Sequence, residues 1–141
     1  MAAPSRHAHR LVAYCRSVRR LEGPELLAYD VLPVDLAAKV RVVEVPFLPN
    51  GADGMTVGTI IFVREDRDVS GDRALLAHEL VHVRQYAEQG AVGFLARYAR
   101  DYLNGRRAGS SHRQAYLDIP AEQEARAEEK AWRHRRSGGL R

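Results

Sequence analysis

The chain has 141 residues, 45% hydrophobic and 28% charged, with a net charge of +4 carried almost wholly by arginine. That length fits a single domain with a modest core and no covalent staples. The one cysteine, Cys15, excludes an intrachain disulfide and a thiolate zinc cluster, and no apolar run approaches the ~18–20 residues of a membrane span.

The basic start, Met1 to Arg10, is not followed by an apolar signal region, so the expectation is a cytoplasmic protein with residues 1–7 and 137–141 as disordered tails. Residues 8–29 read as a helix on the recurrence of Leu11, Tyr14, Cys15, Val18 and Leu21, interrupted at Gly23-Pro24, with Cys15 as a small buried side chain. Asp35 is placed to cap a short turn over Leu36–Lys39. Val40–Leu48 and Thr56–Arg64 are β-rich, and the turn cluster Asn50–Gly54 between them predicts an antiparallel pair. Ser70 or Asp72 can cap a helix over residues 73–89, with Leu76, Leu80, Val83 and Ala87 on one stripe and Gly90 as its stop. Val92–Leu103 predicts another helix, ended by Asn104-Gly105; residues 105–113 read as a loop and Ala115–Ile119 as a short link. Pro120 opens a charged last helix, about 121–135, whose one large apolar residue is Trp132.

The arginine-rich runs, Arg16–Arg20, Arg106-Arg107 and Arg133–Arg136, lack interleaved aromatics or a recognised binding motif. They read as solvated faces, and a nucleic-acid surface is the weakest of the functional readings.

The chemistry concentrates at His78-Glu79-Leu80-Val81-His82. Histidines at i and i+4 share one helical face and can converge on one ion at ~2.0–2.1 Å from each nitrogen. Glu79 is rotated about 100° from His78, which suits it to a water at the metal rather than to chelation. Such a motif arises by chance in roughly two chains per hundred of this composition, and its position inside an amphipathic helix with a stop glycine lowers that risk. A catalytic zinc needs a third protein ligand. No histidine follows until His112, so a carboxylate from the last helix is the remaining solution: Glu122, or Glu124, which at i+2 cannot face the same way.

Leu76–His82 together with Glu122-Gln123-Glu124-Ala125 resembles the gluzincin metallopeptidases, and in particular the short bacterial gluzincin-like domains. The resemblance covers roughly Thr56 to Glu129. It implies a minimal zincin-like α+β domain spanning 1–141, with a small antiparallel sheet against the zinc helix and three or so further helices. It implies Zn2+ held by His78, His82 and Glu122, with Glu79 as general base and a peptide or protein as substrate. Arg126 stands where the family commonly has an acidic residue, so the carboxylate that would orient His78 is either missing or comes from elsewhere, such as Asp118 or Glu124. Tyr98, His112 and Tyr116 are candidates to steady an oxyanion. Gln85 reads as an ordinary helix position or a support to the ligands. By the same resemblance, the run Thr56–Val63 would be the edge that receives extended substrate. His7, His9 and His134 are not expected to ligate. The alternative is a zinc-binding structural or interaction module without catalysis.

Overall fold

Short runs of valine and isoleucine build a sheet that is buried on one face and only partly covered on the other, where Val18, Met55, Val57 and Ile60 stay exposed. A computed structural model describes residues 15–138. Its strands are β1 (Ser17–Arg20), β2 (Arg41–Glu44), β3 (Gly54–Val57) and β4 (Ile60–Val63), in the spatial order β1-β2-β4-β3. The helices are α1 (Gly23–Ala28), α2 (Val34–Ala37), α3 (Ala74–Gln89), α4 (Ala91–Arg107), α5 (His112–Leu117) and α6 (Pro120–Gly138). The α+β class expected from the sequence is therefore observed.

The sheet is mixed rather than antiparallel. β1 and β2 are antiparallel, β2 and β4 are parallel in the register Val42↔Ile61, and β3 and β4 form an antiparallel hairpin. The β-rich run after residue 55 is not one strand. Gly58, at φ 61°, reverses the chain between Val57 and Ile60. Residues 45–53 step past the position that β4 then fills, so β4 slots between β2 and β3 and points the same way as β2.

The sequence expectation of a helix over 8–29 also fails within the described part; residues 8–14 lie outside it. Ser17–Arg20 pairs with β2, and its Arg19 is clamped by two buried carboxylates. Arg19 Nη1 reaches Glu25 Oε1 at 2.6 Å, and Arg19 Nε reaches Asp66 Oδ2 at 2.6 Å. Arg73 shares Asp66 at 3.1 Å, so one ionic cluster ties β1, α1 and the entry to α3 together. Cys15 is half-buried just ahead of β1, against Val43, Val45 and Leu48 on one face of the sheet, and not on a helix.

The other face carries Val42, Ile61 and Val63 against α3. This helix is enclosed nearly all round: Leu76, Ala77, Leu80, Val81 and Val83 are fully buried, whereas Ala87, expected in the stripe, is exposed. A helix surrounded in this way is a central strut rather than a surface amphipath. Neither Ser70 nor Asp72 caps it. The Ser70 backbone and hydroxyl are bound to Asp68, Asp72 pairs with Arg136, and the Arg73 N–H donates instead to the Tyr29 hydroxyl at 3.0 Å.

α4 continues past the expected stop at Asn104-Gly105 because Gly105 lies against α5: a Cβ there would fall 3.1 Å from Ala115 Cβ. The stretch read as loop and link contains α5, capped by Ser111 through the Gln114 N–H. α6 runs on through Gly138, beyond the expected end near Arg135. Its terminal arginines are engaged in ion pairs: Arg133 with Glu129, Arg135 with Asp30 and Arg136 with Asp72. No helix among the described residues is long and apolar enough to cross a membrane.

Candidate metal centre

α3 places His78 and His82 on one face, a turn apart, with ring centroids separated by 5.0 Å. α6 packs along that face and brings Glu122 between them, 3% exposed. His78 Nε2 lies 3.1 Å from Glu122 Oε2, and His82 Nε2 lies 3.1 Å from Glu122 Oε1. One donor atom from each of the three residues falls within a 4.8 Å set. Ligands on a tetrahedral ion with ~2.0–2.1 Å bonds sit about 3.3 Å apart, so these spacings fit a small divalent cation. Glu124 is not part of the set; it faces outward and pairs with Arg84 at 2.7 Å.

The environment of His82 favours a cation as well. Its Nδ1 sits 2.8 Å from the Gln85 side-chain oxygen. An amide oxygen only accepts, so Nδ1 carries the proton, and in the neutral ring the Nε2 lone pair then faces the Glu122 carboxylate. Two acceptors face one another, an arrangement satisfied by a metal ion or by a second proton on the ring. Burial opposes charge on His82, but Glu122 and Glu79 outweigh it and raise its pKa. For Glu122, burial acts upward but is outweighed by the hydrogen bonds from His78 and His82, which hold the carboxyl well below its usual range. The cluster thus attracts positive charge.

Gln85, which the sequence reads first as a plain helix position, supports the cluster. It is 1% exposed, and its amide donates to the Ala121 carbonyl at 3.1 Å, one residue before Glu122. One side chain therefore contacts His82 and ties down the backbone beside Glu122. The i, i+3 offset from His82 was the available signal, but nothing in the sequence places Ala121 opposite. Neither Asp118 nor Glu124 takes the part of orienting His78: Asp118 accepts from Gln114 and Glu124 from Arg84. Arg126 instead donates to the Leu117 carbonyl and anchors the end of α5.

Glu79 points away from the triad's line of contact and toward β3. The Thr56 hydroxyl donates to Glu79 Oε2 at 2.6 Å. Oε1 lies beside Gly54, where a Cβ would fall only 2.8 Å away. Burial raises the Glu79 pKa against the opposing pull of His82 and the Thr56 hydrogen bond.

Glu79, His82 and Glu122 line a cleft of about 610 Å³. β3 forms one wall. It is an edge strand, with Met55 and Val57 exposed, whereas β4 is interior, so the edge is narrower than the run Thr56–Val63 suggests. The opposite wall is aromatic, from Phe94 and Tyr98 of α4 and Tyr116 of α5. Tyr98 and His112 both have their polar atoms engaged, Tyr98 with Glu122 at 2.9 Å and His112 Nδ1 with the Tyr102 hydroxyl at 2.7 Å. Burial and the Glu122 charge push the Tyr116 phenol pKa up.

The family model of the eCIS core domain matches residues 49–90. This eCIS-core-like span is less than a third of the chain. It runs from the turn before β3 through the hairpin and α3 to Gly90, and so contains Thr56, His78, Glu79 and His82 but not Glu122. No curated protein and no solved structure matches the chain.

Proposed function

We propose that the chain is a zinc-dependent metallopeptidase-like protein, with His78, His82 and Glu122 as ligands and Glu79 as general base. The observation that carries this reading is the convergence of two histidines of one helical turn with a buried glutamate from a helix 40 residues further on, beside a second buried carboxylate that does not join them. Zinc bound there supplies Lewis acidity, activating water near neutral pH and polarising a carbonyl.

The chain's own residues supply the rest. Glu79 Oε2 is fixed by Thr56, and Oε1 has no protein hydrogen bond among the described residues. Oε1 takes the proton of the attacking water, and the carboxylic acid then gives it to the departing amine. The upward shift of Glu79 suits both halves of that exchange, since a carboxylate that holds a proton more firmly than usual is the stronger base and can still return it as the acid. The β3 edge offers unpaired main-chain groups to an extended peptide, and the aromatic wall opposite excludes water from its side chains.

The primary test is metal analysis of untagged protein together with His82→Ala. One equivalent of zinc in the wild type and its loss in the variant is the expected result; equal, sub-stoichiometric zinc in both would rule out the centre. Gly54→Ala is a second check. Its methyl group would press on Glu79 Oε1 and on Leu75 Cδ1 at 3.1 Å, so the carboxylate must move. Peptide hydrolysis is expected to fall roughly tenfold to a hundredfold with zinc content unchanged. Full activity in Gly54→Ala would show that Glu79 does not work from this position.

A further inference from the structure

Glu122 has a neighbour that the ligand set does not account for. Tyr98 stands on α4, half-buried, with its ring 5.7 Å from that of Phe94 and its hydroxyl donating to Glu122 Oε1 at 2.9 Å. The two carboxylate oxygens are thereby made unequal. Oε2 faces His78 Nε2, while Oε1 is shared between His82 Nε2 and the phenol. No lysine or arginine hydrogen-bonds to Glu122 among the described residues. Tyr116, 39% exposed, adds a second and more open phenol beside the same carboxylate.

We propose that Tyr98 is a positioning residue for the metal: by holding Oε1 it turns Glu122 so that Oε2 binds as a single-oxygen ligand. This rests on the metal-site reading above. A carboxylate free to rock can offer both oxygens to an ion, which raises the coordination number and fills the place that a water or substrate needs. A phenol fixed on one oxygen opposes that. It also donates to the ligand from outside, the kind of contact whose loss typically weakens metal affinity 10–100-fold. The donor comes from α4, the helix that forms the aromatic wall, so the cleft and the ligand are built by one element.

Tyr98→Phe removes one oxygen and keeps the ring against Phe94. The measurement is zinc affinity by competition with a chromophoric chelator, paired with the visible spectrum of the cobalt(II)-loaded protein, whose intensity reports coordination number. Wild type, His82→Ala and Tyr98→Phe are compared, with Tyr102→Phe as a phenol removed one turn away on the same helix. The expected result is affinity 10–100-fold weaker in Tyr98→Phe, with a weaker cobalt absorption as coordination rises, and both unchanged in Tyr102→Phe. Affinity within twofold of wild type and an unaltered cobalt spectrum would overturn the proposal. So would a lowered unfolding midpoint of metal-free Tyr98→Phe without those changes, which makes Tyr98 a packing residue. Equal metal binding by wild type and His82→Ala is a separate result, and it would remove the centre itself along with this role.

Discussion

Glu79→Gln is expected to lower peptide hydrolysis by roughly 10²–10⁴-fold while zinc content stays at the wild-type level. The substitution is nearly isosteric and acts on one property. Glu79 is buried, so the replacement must fit the same space between Thr56 and Gly54, and an amide fits it. The Thr56 hydroxyl can donate to an amide oxygen as it does to the carboxylate, so the link to β3 survives. What disappears is the capacity to take a proton. Because Glu79 lies outside the set formed by His78, His82 and Glu122, metal retention is part of the expectation. Loss of zinc in the variant would make Glu79 a ligand and refute its role as base. Unimpaired function with zinc retained would favour the structural or interaction module, in which the ion only holds α3 to α6.

Trp132→Ala is expected to destabilise the fold by about 3–5 kcal/mol, the range for removing a large aromatic side chain from a packed core. For a chain of this size that corresponds to a fall in Tm of roughly 10–15 °C. Trp132 is 2% exposed and belongs to the main core cluster. Its indole N–H donates to the Ala28 carbonyl at 2.8 Å, its ring lies 5.5 Å from Tyr29, and Arg136 covers the outer face at 5.4 Å. Truncation removes the apolar burial, strands a carbonyl and uncovers Tyr29, whose hydroxyl receives the N–H of Arg73 just ahead of α3. Thermal unfolding of the metal-free protein measures this directly. A shift under about 3 °C would mean that α6 is held chiefly from the Glu122 end.

The features legible in the sequence were those set by local periodicity and chemistry. The helix carrying the histidines was expected over 73–89 and is observed over Ala74–Gln89, because Gly90 is the only residue type that readily takes φ 75°, ψ 150° at its end. Helical geometry says that Glu122 and Glu124 face apart and the resemblance selects Glu122; the two do face apart, one buried between the histidines and one on Arg84. What was not legible depended on partners far along the chain. Val18 and Leu21 follow Cys15 at three-residue intervals and mimic a helix, yet the ladder Ser17↔Glu44 and the carboxylates of Glu25 and Asp66 pull the segment into a strand. Gly58 did carry a signal. A glycine inside a β-rich run marks a possible reversal, and reading through it produced the wrong strand direction. Gly105 misled in the opposite sense, since it reads as a stop until Ala115 is known to need the space. Tyr98 is a candidate for the oxyanion in the sequence, but nothing there signals its contact with Glu122, 24 residues away on another helix.

The span of the chain across the site has a consequence for the order of folding. His78 and His82 are brought together by one helical turn and need nothing else to be formed. The third donor arrives only when α6 lies along α3, a docking whose other end joins Trp132 to Ala28 across 104 residues of sequence. Closures of that length are slow compared with helix formation. On the proposed zinc-site reading, an ion offered during refolding would meet a two-histidine half-site first and be captured in full only at the last long-range closure, so the rate of tight zinc uptake would be a clock for the completion of the fold.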